Sequence, residues 1–385
     1  MSFKCPQIYY GTGSLDRLAG LKGDRALVVA GKTVKQLGLL DEVVKRLQQK
    51  GAQVRAFDEV EPDPKDSIAE KCASIAAEFK PDLIIGVGGG SSMDIAKAAF
   101  FGYERPDVKL CDMSPLETYG LGSKASLVEI PTTSGTGSEA SIGCVITDSE
   151  SGKKLSLACF ELVPNVAILD PSLASKMPPR LKATSGLDVL AHASEAYIAA
   201  MHNYFADTVA MKAIQTVFGY LEKSVKTGDE EAVEKMHYAA TLGGIAMTNS
   251  GLGIAHGIGH SIGALLNIPH GAAVGFALPY AIEFCAQTSK ERYLEILKFL
   301  GITDVTAESA AKKLSDMVRD LMVKIQITPT LKGIGLTDAK FKKALPKLIE
   351  FAENDVTSFT SPRNATTDDF KKIFDCMLKN KPIDF

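Results

Sequence analysis

The sequence predicts two domains of different class: an α/β domain with a parallel, Rossmann-like sheet over residues 1–178, then an all-α domain over residues 179–385. Three observations lead there. At 385 residues the chain exceeds what one core ordinarily organises. Its first half alternates short apolar runs with helix-period segments, the pattern of parallel strands joined by helical crossovers. Past Met177-Pro178-Pro179 the strand-like runs stop and only helical periodicity continues.

The elements follow in order. RALVVAG (25–31) is a β-branched run ending in glycine, hence a strand. VKQLGLLDEVVKRLQQKG (34–51) repeats its apolar residues with helical spacing and is expected to form one helix closed by Gly51. AQVRAFDEV (52–60) reads as a strand, DSIAEKCASIAAEFK (66–80) as a helix, and PDLIIGVGGG (81–90) as a buried strand running into glycines. SSMDIAKAAFFG (91–102) is a helix with a serine start signal, and SLVEIPTTSGTGSEAS (126–141) and NVAILDP (165–171) add strands and loops. In the second half, 177–202, 205–228, 230–251, 309–327 and 339–353 are helical by period. FKCPQIYYG (3–11) is a candidate strand for pairing across a homodimer.

Bulk properties narrow the class. A net charge of −3 leaves no basic footprint for nucleic acid. No apolar run reaches the ~18 residues of a membrane span. The N-terminus lacks a positive segment followed by an apolar one, so no signal peptide is expected. Seven cysteines, scattered singly with no CxxC, argue against a disulfide framework and a cysteine zinc site. The expectation is a cytoplasmic protein with no membrane or nucleic-acid partner.

GVGGGSSMD (86–94) follows a buried strand and opens a helix. Glycines admit an anion to the backbone, and helix N-terminal N–H groups point at it. Ser91 or Ser92 could cap, with Asp94 near the first turn. The dinucleotide fingerprint GxGxxG is not met, because Ser91 stands where glycine is required. A tight turn that needs glycine for steric reasons is the competing explanation. PTTSGTGSE (131–139) is a second hydroxyl-rich, glycine-punctuated loop. Alone it could be a capping loop; together the two suggest facing walls of a nucleotide cleft.

GLDVLAHASEAY (186–197) sets Asp188 and His192 four residues apart, on one helical face. That is half of a divalent-metal site, or a surface contact or satisfied core pair. Three of the six histidines, His256, His260 and His270, fall within 253–271. This stretch is too glycine-rich to be a good helix by propensity. His270, after Pro269, sits at a turn or helix start. A loop returning His270 toward His256 would add two imidazoles to Asp188 and His192. One carboxylate and three neutral nitrogens suit Fe²⁺, Zn²⁺, Ni²⁺ or Co²⁺, and not Mg²⁺ or Ca²⁺. His202 and His237 read as exposed helical residues.

GVGGGSSMDIAKA (86–98), PTTSGTGSEAS (131–141), PPRLKATSGLDVLAHASEAY (178–197) and GLGIAHGIGHSIGALLNIPHGAAVG (251–275) together resemble the iron-containing (group III) alcohol dehydrogenase family. The resemblance spans nearly the whole chain. It implies a dehydroquinate synthase-like architecture, a nucleotide-binding α/β domain then a helical catalytic domain, with metal and nicotinamide in the cleft between. It implies Asp188, His192, His256 and His270 as metal ligands, and His260 as the catalytic histidine near the nicotinamide. Gly88, Gly89, Gly90 and Ser91 match the family's pyrophosphate loop, with Asp94 beside it. Thr132, Thr133, Ser134 and Thr136 match the second cofactor loop. Lys154 and Leu173 stand where the family places further cofactor contacts.

NAD-preferring members carry an acidic residue after the first strand; here Gly31 stands there with Lys32 beside it. Glycine leaves room for a 2′-phosphate and lysine offers charge, which favours NADP(H) over NAD(H). Asp58, after the next strand, is the competing ribose ligand. The implied reaction is metal-dependent interconversion of small primary alcohols and aldehydes, with Fe²⁺, or Zn²⁺ or another divalent ion, as metal. A polyol or glycerol dehydrogenase and a dehydroquinate-synthase-like lyase are the alternatives. A metal-dependent hydrolase leaves the two loops unexplained, and a non-enzymatic binder leaves His260 without a role.

Overall fold

The computed structural model describes residues 2–150 and 154–385, in two compact units, Met1–Lys176 and Met177–Phe385.

The first unit contains β1 (Gln7–Tyr10), β2 (Arg25–Gly31), α1 (Lys32–Gln36), α2 (Leu39–Gln49), β3 (Gln53–Val60), α3 (Asp66–Phe79), β4 (Leu83–Gly88) and α4 (Gly90–Glu104). It continues through β5 (Ser126–Pro131), β6 (Gly143–Thr147), β7 (Lys154–Ala158), β8 (Val166–Leu169) and α5 (Pro171–Ala174). Six strands form a parallel sheet in the order β1-β8-β5-β4-β2-β3, as the alternating pattern predicts. Successive β2 residues feed opposite faces: Leu27 and Val29 join Ile84, Ile95 and Phe101 on one, and Ala26, Val28 and Ala30 join Val34, Leu40 and Val43 on the other. Helices α3 and α4 cover the first face and α1 and α2 the second. That is why β4, buried at every position, reads as one continuous apolar run.

Two local expectations change. The segment 34–51 is two helices, α1 and α2, broken at Gly38, whose φ of 75° stops the first. Helix α4 begins at Gly90 behind Gly89 with no side-chain cap, so neither Ser91 nor Ser92 provides the expected serine cap. Strand β1 pairs in parallel with β8 of its own chain. The antiparallel hairpin β6–β7 has no counterpart in the sequence reading.

The order of the sheet places the functional loops. The chain runs from β2 outward to β3, then returns to β4 on β2's other side. The carboxyl ends of β2 and β4 therefore flank a topological switch point, where open parallel sheets bind ligands. Gly31 ends β2, Gly88 ends β4, and Thr132 follows β5, the neighbour of β4.

The second unit contains α6 (Pro179–Ile198), α7 (Tyr204–Lys226), α8 (Glu230–Ser250), α9 (Ile254–Leu266), α10 (His270–Phe284), α11 (Ala286–Phe299), α12 (Ala307–Lys324), α13 (Asp338–Glu353) and α14 (Thr367–Lys379). It has no strand among its described residues. From Ala183 onward α6 is buried almost all round, as a central helix must be. The glycine-rich stretch does form a helix, α9, against the propensity argument. A Cβ at Gly257 would lie 2.2 Å from Ser358 Oγ and one at Gly259 2.4 Å from Val274 Cγ2, so tight packing overrides propensity. His237 is buried in α8, not exposed as expected, while His202 is exposed in the turn before α7. Among the described residues no helix is long and apolar enough to cross a membrane.

Candidate active site

The loops after β4 and β5 in the first unit come together. Gly88 has a φ of 148°, and a Cβ there would lie 2.5 Å from Ser92 Oγ, so only glycine fits. A Cβ on Gly89 would lie 3.3 Å from Thr133 Oγ1, and one on Gly90 3.0 Å from Thr136 Cγ2. The Thr132 N–H donates to the Gly88 carbonyl at 2.8 Å. The threonine loop is thus a wall standing against the first turn of α4, with the free N–H groups of that turn at its foot. Ser91 is partly exposed on that turn, whereas Ser134 is buried.

Helix α4 holds the second loop from beneath. Lys97, fully buried, donates to the carbonyls of Ser138 (2.6 Å), Ser141 (2.8 Å) and Gly143 (3.0 Å) and to Ser141 Oγ (3.0 Å). Both Asp94 oxygens are engaged the same way, accepting from Ser138 Oγ (3.0 Å) and the Val145 N–H (3.2 Å). Desolvation pushes this carboxyl up to about 6. Asp94 supports the loop. Lys97 was missed by the sequence reading; the signal was a lysine two turns into α4, within the apolar run Ile95–Phe101.

The other cofactor candidates are scattered. A Cβ on Gly31 would lie 3.6 Å from Ser92 Oγ and 3.0 Å from the Val60 carbonyl, so Gly31 borders the glycine loop. Lys32 pairs with Glu61 at 2.6 Å, both well exposed. Asp58 is held by Lys35, whose ammonium lowers its pKa. Lys154 on β7 pairs with Asp63. Leu173 lies in the core beside Val34 and Ile130.

In the second unit, four predicted ligands converge. Asp188 and His192 lie one turn apart on α6. His256 is in the first turn of α9. Asn267, in the left-handed region at φ 54°, ends α9, and His270 opens α10 behind Pro269. A Cβ on Gly271 would lie 2.4 Å from the Thr184 carbonyl, so glycine lets the start of α10 dock on α6. Asp188 Oδ1 is 3.8 Å from His192 Nε2, 3.7 Å from His256 Nε2 and 3.2 Å from His270 Nε2. Four candidate ligand atoms, one from each residue, lie within 4.8 Å of one another. Asp188, His192 and His256 are buried, while the His270 side chain is 42% exposed and leaves the cluster open on that side.

The electrostatics suit a divalent ion. Burial pulls His192 down to about 4 and His256 to about 3, so both imidazoles are neutral and keep a lone pair. Burial alone would raise Asp188, but the imidazoles of His192, His270 and His256 hold it below the usual carboxylate range. Asp188 Oδ1 and His256 Nε2 are buried with no hydrogen-bond partner. Such atoms are costly to bury unsatisfied, and a borderline divalent metal satisfies them together. The donor set fits the implied iron.

A family model of iron-containing alcohol dehydrogenases matches residues 5–171, and one of the Fe-containing alcohol dehydrogenase C-terminal region matches residues 182–378. The chain belongs to the iron-containing alcohol dehydrogenase family. It is 42% identical to an NADPH-dependent butanol dehydrogenase of Clostridium saccharobutylicum, over 100% of both chains. It is 35% identical to an aldehyde-alcohol dehydrogenase of Streptococcus pneumoniae over 91% of this chain, but spans only 43% of that longer protein. An iron-containing alcohol dehydrogenase from Thermococcus thioreducens shares the fold with a TM-score of 0.90 at 33% identity, over 99% of this chain and 100% of that one. The chain is thus an NAD(P)-dependent oxidoreductase acting between alcohols and aldehydes, and the lyase alternative falls away.

Two carboxylates escaped the sequence reading of this alcohol dehydrogenase. Glu195, buried on α6 one turn after His192, meets His256 Nδ1 and accepts the Ala255 N–H at 2.7 Å. Burial pushes it up to about 7, against those donors. Its signal was the i, i+4, i+7 spacing of Asp188, His192 and Glu195 on one face. Asp355, in the turn before Val356–Thr360, accepts from His260 Nδ1 at 2.8 Å. No sequence pattern pairs residues 95 apart. His260 itself lies beside the quartet, its ring stacked on His270 with centroids 5.2 Å apart.

Proposed function

We propose that this chain interconverts small primary alcohols and aldehydes and uses NADP(H) in preference to NAD(H), with the first unit holding the cofactor and the second the metal. The observation that carries the reading is the buried quartet whose Asp188 and His256 atoms have no other partner. Asp188, His192, His256 and His270 would hold the ion, ferrous iron or, by the same donor chemistry, zinc. Gly88, Gly89, Gly90 and Ser91 would take the pyrophosphate on backbone N–H groups, with Thr132, Thr133, Ser134 and Thr136 as the opposing wall.

When bound, the ion supplies Lewis acidity toward a substrate oxygen and the nicotinamide gives or accepts hydride. The rest falls to the chain. Asp355 fixes the His260 ring through Nδ1, which leaves Nε2 to hold or release the hydroxyl proton. The sequence around the metal ligands, 243–253 and 262–268, is small and apolar, which supports an uncharged substrate. Gly31 puts no carboxylate at the end of β2, Lys32 is exposed beside it in a pair with Glu61, and Asp58, the rival ribose ligand, is engaged by Lys35. The NADPH dependence of the Clostridium saccharobutylicum relative supports the same preference. A cytoplasmic homodimer belongs to the proposal, from the seven free cysteines and from β1 at the sheet edge.

The test is anaerobic: metal content and absorbance at 340 nm on one sample, with butanol plus NADP⁺ and, separately, NAD⁺. A rise that tracks iron and is larger with NADP⁺ is expected. A larger rise with NAD⁺ would overturn the Gly31 argument and point to Asp58. No rise on metal-replete protein across alcohols and aldehydes would overturn the proposed substrates.

A further inference from the structure

We propose that Glu195 is a positioning residue of the metal centre: without ligating, it fixes the His256 tautomer and supplies the negative charge that makes the buried centre neutral. The inference rests on the metal reading above. Its first ground is geometric. Glu195 Oε2 meets His256 Nδ1, and Oε1 accepts the backbone N–H of Ala255 at 2.7 Å and of His256 at 3.4 Å. An ionised carboxylate here takes the Nδ1–H and leaves Nε2 bare, aimed at Asp188 from 3.7 Å. Three contacts to two adjacent residues hold both the ring and the first turn of α9. The place is built for the carboxyl: a Cβ at Gly253 would lie 2.8 Å from Glu195 Oε1, so glycine there admits it.

The second ground is charge. Glu195 is 3% exposed, and among the described residues its ion-pair contact is His256. Beyond it lies a small cavity lined by Ser194, Ile198, Ile282, Cys285, Tyr293 and Ser361, with no lysine or arginine on its wall. Among the described residues no lysine or arginine pairs with a carboxylate so placed, a costly arrangement when it is ionised. Asp188 and three neutral imidazoles leave a divalent ion one positive charge in excess. Glu195 cancels it, and the ion in turn balances Glu195.

The test uses full-length protein stripped of metal with a chelator and titrated with Co²⁺ against a chromophoric competitor, for wild type, Glu195→Gln and Glu195→Ala. Glutamine keeps an oxygen that can accept from Nδ1 but loses the charge; alanine loses both. The expected order of Co²⁺ affinity is wild type, then Gln, then Ala, with the Ala variant weaker by roughly 10–100-fold. The visible Co²⁺ bands should change more in Ala than in Gln, which a merely structural defect would not produce. Far-UV circular dichroism of the metal-free forms checks the fold, and Gln carries the test if Ala fails to fold. Wild-type affinity in both variants overturns the proposal. Wild-type affinity in Gln alone overturns its charge component. Wild-type protein that binds no Co²⁺ overturns the metal reading instead.

Discussion

At Gly90 a single added methyl would land 3.0 Å from Thr136; at Asp188 a buried carboxylate oxygen faces three imidazoles, the nearest nitrogen at 3.2 Å. In the first unit the proposed cofactor site rests on leaving side chains out, so that the threonine loop stands against the glycine turn of α4. In the second, the proposed metal site takes polar side chains out of water and turns their ligand atoms toward one another. The two should therefore fail differently: one when volume is added and the other when an atom is removed.

The largest effect expected is in the quartet. His256→Ala should lose bound metal and lower kcat/KM by at least about a thousandfold, since the Lewis acid goes with it. His260→Ala should keep its metal and lose about a hundredfold in kcat. Metal analysis and initial rates on the same preparations separate the two. If His260→Ala also loses metal, then His260 is a ligand and its role here is misassigned. Next comes added volume. Gly90→Val should push Thr136 off the first turn of α4 and raise KM for NADP(H) by about tenfold or more, with metal affinity unchanged. Metal loss in Gly90→Val would break the contrast between the units.

What the sequence made legible divides along the same line. The sheet was readable because β4 is buried on both faces and its glycines sit at its end. The quartet was readable because i, i+4 spacing and a short returning loop are local. Three features depended on contacts distant in sequence. Helix α9 forms despite its glycines because Ser358 and Val274 press on it. Lys97 is buried because carbonyls 41–46 residues away receive it. Asp355 reaches His260 across 95 residues. Gly38 is the opposite case: a local break hidden inside a strong helical period, legible only once its φ is known.

A smaller effect tests the edge of the first site. Gly31→Asp places a carboxylate at the end of β2, beside the Val60 carbonyl at 3.0 Å. It should repel a 2′-phosphate and shift the NADP(H)-to-NAD(H) ratio of kcat/KM toward NAD(H) by about tenfold. An unchanged ratio would mean that the 2′-position is read elsewhere, with Asp58 next to be tested.

The smallest effect sharpens the comparison inside the second unit, between a carboxylate matched by a ligand and one matched by the protein. Asp355 is matched by the protein. Burial would raise it, but hydrogen bonds from His260 and Thr357 outweigh that and hold it down to about 2. A folded-state pKa below the ordinary value of 3.8 means that the unfolded chain binds the proton more readily. The stabilisation is therefore present above about pH 4 and is lost as pH falls toward 2. It amounts to about 2 kcal/mol at neutral pH from a shift of this size. Asp355→Asn keeps an oxygen for the Thr357 N–H but loses the charge facing His260. Urea unfolding of metal-free protein should show the variant less stable by about 1–2 kcal/mol at pH 6, with the gap narrowing steadily from pH 4 to pH 3. A gap constant with pH would mean that Asp355 acts by capping its turn alone and that His260 is oriented by something other than its charge.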